Sequence, residues 1–161
     1  MPMSLNFAQK ISKEDRVRAR TNPELNRQID AALERRLRFY AVQDARAISE
    51  RLEELDREWD IERFLETNAA SLSLAGIVFG ATLSRKWFIV PLIVSGFLLQ
   101  HALQGWCPPV PLLRKFGVRT RLEIEQERYA LKVLRGDFEA LEHKPEEPLK
   151  DSGEFAAALR R

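Results

Sequence analysis

Charged residues are spread along most of the chain but almost disappear between residues 67 and 106. A first uncharged stretch covers residues 67–83, and a second covers residues 87–106. A transmembrane helix needs about 20 predominantly apolar residues, with a lower limit near 17. The pattern therefore predicts an antiparallel hairpin of two transmembrane helices, joined by a tight turn at residues 84–86.

The alternative for the same stretch is a helical hairpin buried in a soluble domain, because protein cores also contain uncharged runs. Two features favour the membrane. Trp87 and Trp106 bracket the second stretch, as expected of the aromatic belts at the two membrane interfaces. The flanking segments also offer too little continuous apolar surface to bury both helices. The lipid bilayer is thus the first predicted partner.

Small residues recur on one face of the first predicted span. Gly76 and Gly80 form a GxxxG pattern, which lets the backbone of another helix approach closely. That other helix is either the second span or a helix of another chain. Pro91 should bend the start of the second span. The predicted helix-packing residues are Ser73, Gly76, Gly80 and Gly96.

Polar residues lie at the ends of both predicted spans that are remote from the turn. Glu62 and Glu66 are four residues apart ahead of the first span, where a solvated interfacial helix explains them better than a catalytic pair. His101 lies near the end of the second span, at a depth close to that of Ala69. A single interfacial histidine is more often structural than catalytic, so neither position predicts an enzyme.

A long amphipathic helical arm is predicted for residues 23–66. Asn22, Pro23 and Glu24 have the residue types preferred at the N-cap, the first helical position and the first turn. No glycine or proline follows until Gly76. Apolar residues recur with coiled-coil-like heptad spacing, and they pack either on the C-terminal helix or across a homodimer. The residues of this seam are Ala41, Ala45, Ile48, Leu52, Leu55 and Trp59.

The two ends of the chain carry weaker patterns. Residues 1–22 form an N-terminal segment without clear periodicity, and no signal peptide is expected there. Thr120 and Glu123 make a capping box that opens a C-terminal amphipathic helix, predicted for residues 121–143. Residues 144–161 are predicted to be a mobile tail, since prolines at its start break the helix.

The charge balance excludes some functions and orients the hairpin. The chain has 26 Lys and Arg against 24 Asp and Glu, with both signs interspersed. Nucleic-acid binding needs clustered basic charge, so no nucleic-acid partner is predicted. Lysines and arginines are more numerous beside the two ends of the hairpin than in its turn, where only Arg85 and Lys86 occur. This asymmetry predicts that both termini are cytoplasmic.

Cys107 is the only cysteine and the only candidate nucleophile. It follows the C-terminal end of the second predicted helix, where the helix dipole disfavours a thiolate. A packing role is therefore favoured over thiol or sulfur chemistry. The spacing of the remaining residues indicates no metal site, no cofactor and no identifiable small-molecule substrate. A small transporter subunit is a weaker alternative, because the spans contain no embedded charge.

The segment after the hairpin, residues 107–120, is rich in proline and resembles a known family. A Cys-Pro pair, a Leu-Leu pair, a glycine and a threonine follow one another in the order of the YgaP-like inner-membrane transmembrane domain family. The matching residues are Cys107, Pro108, Leu112, Leu113, Gly117 and Thr120.

That resemblance covers roughly residues 59–120 and implies a bacterial two-helix membrane domain of largely unknown function. Some relatives are fused to a rhodanese domain that handles sulfane sulfur. Because the only cysteine here lies in the exit segment, we expect no rhodanese domain and no rhodanese activity.

Together these patterns predict an all-α, multi-pass membrane protein, and the family resemblance implies that its membrane is the bacterial inner membrane. Its hairpin would be flanked by long amphipathic cytoplasmic helices. The predicted function is a non-catalytic scaffold or interaction module, which self-associates as a homodimer or binds another membrane or cytoplasmic protein.

Overall fold

A computed structural model describes residues 15–138, and within this part of the chain every regular element is a helix. The prediction of an all-α fold is therefore confirmed for these residues. A short 3₁₀-helix, Arg85–Phe88, separates the two longest apolar helices. The α-helices, numbered in chain order, are α1 Arg16–Arg20, α2 Pro23–Tyr40, α3 Ala45–Arg57, α4 Ile61–Thr82, α5 Ile89–Gln104, α6 Val110–Lys115 and α7 Arg121–Arg135.

Helices α4 and α5 form the predicted hairpin. Helix α4 and the segment Arg85–Gln104, which joins the 3₁₀-helix to α5, are long and apolar enough to cross a membrane. The boundaries of the second segment differ slightly from the prediction. Its first turn is the 3₁₀-helix, whose cap is Ser84, and the α-helix ends at Gln104. Gly105 follows with a φ of 71°, a left-handed conformation that glycine adopts without strain and that ends the helix.

The predicted continuous arm over residues 23–66 is instead divided among three helices. The N-terminal start is as predicted, since Asn22 Oδ1 accepts a hydrogen bond from the Glu24 N–H at 2.8 Å. Asp44 then caps α3 by accepting from the Ala47 N–H at 2.8 Å, and Asp60 caps α4 by accepting from the Arg63 N–H at 2.7 Å. Such side-chain caps compete with helix continuation, which explains breaks without glycine or proline.

The C-terminal helix ends earlier than the predicted limit of residue 143. Helix α7 stops at Arg135, and Gly136 has a φ of 85°. The Gly136 N–H donates to the Val133 carbonyl at 3.1 Å, and the Asp137 N–H donates to the Lys132 carbonyl at 3.1 Å. This pair of bonds is a Schellman motif, in which the glycine terminates the helix. The predicted tail and most of the N-terminal segment lie outside the described residues.

The chain divides into two compact units, which we call the hairpin unit and the arm unit. Among the described residues, the hairpin unit comprises residues 15–32 and 58–124, and the arm unit comprises residues 33–57 and 125–138. The core of the hairpin unit lies at the base of the hairpin and contains Val17, Ile61, Leu65, Cys107 and Val110.

The arm unit brings α3 beside the second half of α7. The Arg135 guanidinium donates to Ser49 Oγ at 2.8 Å, and Arg128 pairs with Asp56. The fully buried carboxylate of Glu127 accepts from Arg51 Nε at 3.0 Å and from Arg36 Nε at 3.0 Å. Buried charges are tolerated when they are paired in this way.

Candidate functional site

Gly76 and Gly80 lie where α4 and the start of the second helical segment approach most closely. A Cβ atom added at Gly76 would be 2.6 Å from Pro91 Cδ and 3.0 Å from Val90 Cβ. A Cβ atom at Gly80 would be 2.9 Å from the Phe88 ring. The distances of 2.6 and 2.9 Å are shorter than real contacts of a Cβ atom, so both positions require glycine. The GxxxG pattern therefore serves close helix packing within the hairpin.

The other two predicted packing residues differ from this pair. Ser73 is half-buried on α4. Gly96, in the middle of α5, has no atom within 4 Å of a Cβ built on it. Within the described part of the chain, its missing side chain therefore serves no close approach.

Three of the predicted seam residues, Ile48, Leu52 and Leu55, are buried within the single chain. Ala45 and Trp59, at the two ends of the seam, are exposed. Because α3 ends at Arg57, Trp59 belongs to the link before α4 and cannot continue the helical stripe. Of the two alternatives for this seam, its burial favours packing within the chain.

Cys107 is buried at the base of the hairpin, with 7% of its surface exposed. It packs in the core with Val17, Ile61, Leu65 and Val110. Burial raises the pKa of its thiol, so the thiolate that nucleophilic or redox chemistry requires is disfavoured. The environment is that of a structural cysteine.

The residues of the family resemblance lie around the turn that contains α6. Gly117, with a φ of 81°, ends α6, and the Val118 N–H donates back to the Leu113 carbonyl at 3.0 Å. Leu113 packs against the core, whereas Pro108 and Leu112 are exposed. This arrangement gives most of the motif a structural role in returning the chain from α5 to α7.

Thr120 and Glu123 form the predicted capping box. The Thr120 N–H donates to Glu123 Oε2 at 3.0 Å, and the Glu123 N–H donates to Thr120 Oγ1 at 3.3 Å. The Thr120 hydroxyl also donates to Asp15 Oδ2, which is part of the cap of α1. The box therefore joins two helix starts that are distant in sequence.

Glu123 is also the centre of a buried ion cluster, defined here as Glu123, Arg114 and Arg18. Arg114, whose side chain is fully buried, donates to both carboxylate oxygens of Glu123, at 2.6 and 2.8 Å. Arg18 Nη1 donates to Glu123 Oε1 at 2.7 Å. Burial pushes the pKa of Glu123 upward, but the hydrogen bonds and charges of Arg114, together with the Thr120 N–H and Arg18, hold it below its usual value.

A cavity of about 380 Å³ lies at the base of the hairpin, between the start of α4, the end of α5 and the starts of α1 and α7. Its size is at the lower end of the range of about 300–1,000 Å³ typical of small-molecule sites. Seven of its lining residues are polar or charged, namely Asp15, Arg16, Glu62, Glu66, His101, Thr120 and Arg121. Leu65, Leu98 and Ala102 lie on its apolar side.

Two polar atoms in the lining of this cavity are buried and lack a partner among the described residues. They are Glu62 Oε2 and His101 Nδ1. Such atoms are uncommon, because an unsatisfied buried polar group costs about 1–3 kcal/mol. Glu62 lies ahead of the uncharged run, and burial raises the pKa of its carboxyl. Hydrogen bonds from the backbone N–H groups of Glu62 and Arg121 oppose this shift, whereas the charges of Asp60 and Asp15 add to it. Among residues 15–138, no lysine or arginine forms a salt bridge with this carboxyl.

The sequence patterns singled out Glu62 and His101 separately but not their proximity. Their separation in sequence hides it, since only the antiparallel hairpin brings the start of α4 beside the end of α5. Arg16 completes the cavity from a segment with no recognised pattern, and its guanidinium donates to the Ala102 carbonyl. The one sequence signal for this proximity is the matching depth of His101 and Ala69, because Ala69 follows Glu62 on the same predicted helix.

Within residues 15–138 no group of three or more His, Cys, Asp or Glu side chains is arranged to hold a metal ion. Comparisons with models of known protein families, with curated proteins and with solved structures find no significant match.

Proposed function

We propose that this chain is a multi-pass protein of the bacterial inner membrane that acts as a non-catalytic scaffold or interaction module. The hairpin spans the bilayer through residues 67–83 and 87–106, and both termini are cytoplasmic. The observation that carries the membrane part is the exposure of the apolar side chains of α5. Leu92, Leu99 and Leu103 are 68%, 61% and 69% exposed, whereas an apolar helix in a soluble protein buries such residues.

The ends of the hairpin support the same placement. Trp59 and Trp106 are exposed near its cytoplasmic base, and Trp87 is exposed near the turn. Tryptophan prefers the interface at both membrane surfaces. The Arg63 guanidinium lies 4.4 Å from the centre of the Trp59 ring, a geometry in which an arginine covers an aromatic side chain at headgroup level.

The chemistry of the base favours a scaffold over a sulfur-handling protein. Cys107 is buried with a raised thiol pKa, and the buried carboxylates of Glu123 and Glu127 are committed to arginines. The exposed pair Phe39 and Val42, where α2 ends, supports the interaction part, because Val42 is 81% exposed. We place a contact with a second copy or with another cytoplasmic protein there.

We also propose that the chain belongs with the YgaP-like inner-membrane transmembrane domains. What supports this is the structural coherence of the matching residues. Cys107 fills the core, Gly117 ends α6 in a left-handed conformation, and Thr120 caps α7. Each residue type is the one that its position requires.

Single cysteines introduced into a Cys107→Ala background test the topology in native membranes. Gln43, Ser71 and Ser84 are all exposed, at the arm, within the first span and at the turn. We expect a membrane-impermeant thiol reagent added outside to label only position 84. Position 43 should react only after permeabilisation, and position 71 should resist both treatments. Labelling of position 71 from the aqueous phase would contradict insertion.

The interaction part has its own test in the same background. Cysteine at position 42 should give an intermolecular disulfide on mild oxidation if the exposed Phe39–Val42 surface contacts a second copy. Cysteine at position 53 is the matched control, since Glu53 is an exposed residue of α3. Equal crosslinking at both positions would indicate random collision. Absence of crosslinking at both positions would contradict self-association through this surface.

A further inference from the structure

We propose that the cavity at the base of the hairpin binds the headgroup of an aminophospholipid, with its primary ammonium group between Glu62 and His101. The inference rests on the proposed membrane function, because that orientation places the cavity at the depth of the cytoplasmic headgroups. It deepens that function by assigning the hairpin a specific lipid ligand.

The two unpartnered atoms define what the ligand must donate. Glu62 Oε2 is a carboxylate acceptor, and His101 Nδ1 accepts in the tautomer that carries its proton on Nε2. A primary ammonium has three N–H donors, enough for both acceptors. A trimethylated ammonium, as in a choline headgroup, has none and leaves both atoms unsatisfied.

The charges of the lining require a second, negative group on the same ligand. Arg16 and Arg121 line the cavity together with three acidic residues, Asp15, Glu62 and Glu66. Guanidinium groups recognise phosphate through paired N–H donors. A ligand with only a positive charge would be repelled by these arginines, and a ligand with only a negative charge would be repelled by the carboxylates. A zwitterion that joins an ammonium to a phosphate satisfies both sets.

The apolar side of the cavity favours a lipid over a water-soluble phosphoamine. Leu65, Leu98 and Ala102 belong to the two hairpin helices, and their side of the cavity continues into the uncharged spans. Acyl chains attached to the phosphate would follow this surface into the bilayer. The cavity volume of about 380 Å³ accommodates the headgroup alone.

Native mass spectrometry of the full-length, delipidated protein in detergent tests the proposal. The probes are phosphatidylethanolamine, phosphatidylcholine and phosphatidylglycerol with identical acyl chains. We expect the wild type to bind phosphatidylethanolamine about tenfold more tightly than phosphatidylcholine, the scale of one charge-assisted hydrogen bond. Equal binding of these two lipids by the wild type would overturn the proposal.

Two substitutions separate the roles of the lining residues. Glu62→Gln should remove most of the preference for phosphatidylethanolamine over phosphatidylcholine. Arg121→Gln replaces an exposed arginine. It should weaken the binding of all three phospholipids alike and leave the preference for phosphatidylethanolamine in place. Glu53→Gln, at a residue outside the cavity, is the control and should change neither quantity. A Glu62→Gln variant that folds and keeps the full preference would refute the ammonium site.

Two further arms separate the possible failures. Phosphoethanolamine without acyl chains should compete weakly; if it binds as tightly as the lipid, the ligand is water-soluble and the lipid assignment is wrong. Alkaline carbonate extraction of native membranes that contain the protein tests whether it is an integral membrane protein. Release of the protein by carbonate would contradict the proposed membrane function itself. If the protein stays in the membrane but shows no headgroup preference, only the lipid-binding inference is contradicted.

Discussion

The hairpin and its base, both within the hairpin unit, are stabilised in opposite ways. In the hairpin, the closest contacts are made where side chains are missing, at Gly76 and Gly80, and the apolar side chains face outward. In the base, apolar residues such as Ile61 face inward, and charged residues such as Arg114 and Glu123 are buried and paired.

The difference follows from the proposed surroundings of each region. In lipid, apolar side chains gain nothing by leaving the solvent, so helices associate through close backbone packing. In water, apolar burial stabilises the fold, and any buried charge must be compensated by partners. One short chain therefore carries two kinds of interior, and substitutions should affect them differently.

The largest effect is expected from breaking the ion cluster of the base. Arg114→Met leaves the buried Glu123 without its bidentate partner, and removing one member of a buried pair typically costs about 3–5 kcal/mol. Thermal unfolding of the purified protein in detergent should show a correspondingly large decrease in melting temperature.

The double variant Arg114→Met/Glu123→Gln sharpens this prediction. It should be less destabilised than Arg114→Met alone, because the uncompensated charge is gone. Arg57→Met is the matched surface control, since Arg57 pairs with Glu53 in an exposed position and should change stability little. If the surface variant loses as much stability as Arg114→Met, the buried pair has no special role.

A smaller effect is expected in the hairpin. Gly76→Ala would place a methyl group 2.6 Å from the Pro91 ring, and overpacking of this kind typically costs about 1–3 kcal/mol. Gly96→Ala adds the same methyl group where no atom lies within 4 Å, so its melting temperature should be unchanged or slightly higher. Equal losses at the two glycines would contradict packing of the GxxxG face within the hairpin.

The smallest predicted effect is a pH dependence confined to the base. The folded state holds the pKa of Glu123 below its unfolded value of about 4.3. Its contribution to stability is therefore present above that value and is lost as the pH falls through the lower, folded pKa. Glu123→Gln should flatten the acid limb of a plot of melting temperature against pH, while Gly76→Ala should leave the shape of that limb unchanged.

Local patterns predicted the parts of the fold that depend on neighbouring residues. The capping box of Thr120 and Glu123, the helix start at Pro23 and the uncharged hairpin are all present. Local patterns failed where two local preferences compete. Asp44 and Asp60 are acceptable inside a helix by composition, yet their side chains cap new helices and interrupt the arm.

The candidate site shows the limit of the same reasoning. Considered alone, Glu62 fits a solvated interfacial helix and His101 fits a structural role at the interface. Neither interpretation predicts that the two side chains line one cavity. No local pattern predicts that the side chain of Arg114 is fully buried beside Glu123. These outcomes depend on contacts between residues that no local periodicity connects.

Local sequence patterns are sufficient to specify the helical class and the position of the hairpin, because helix propensity, capping and the absence of charge act over a few turns of one segment. They also indicate where a close approach is possible, through Gly76 and Gly80. Three further features are visible only in the folded protein: the close approach is made within the chain, Cys107 is buried, and two unsatisfied polar atoms share a cavity. Burial and pairing are properties of the assembled helices, since they depend on which distant side chains arrive at the same place.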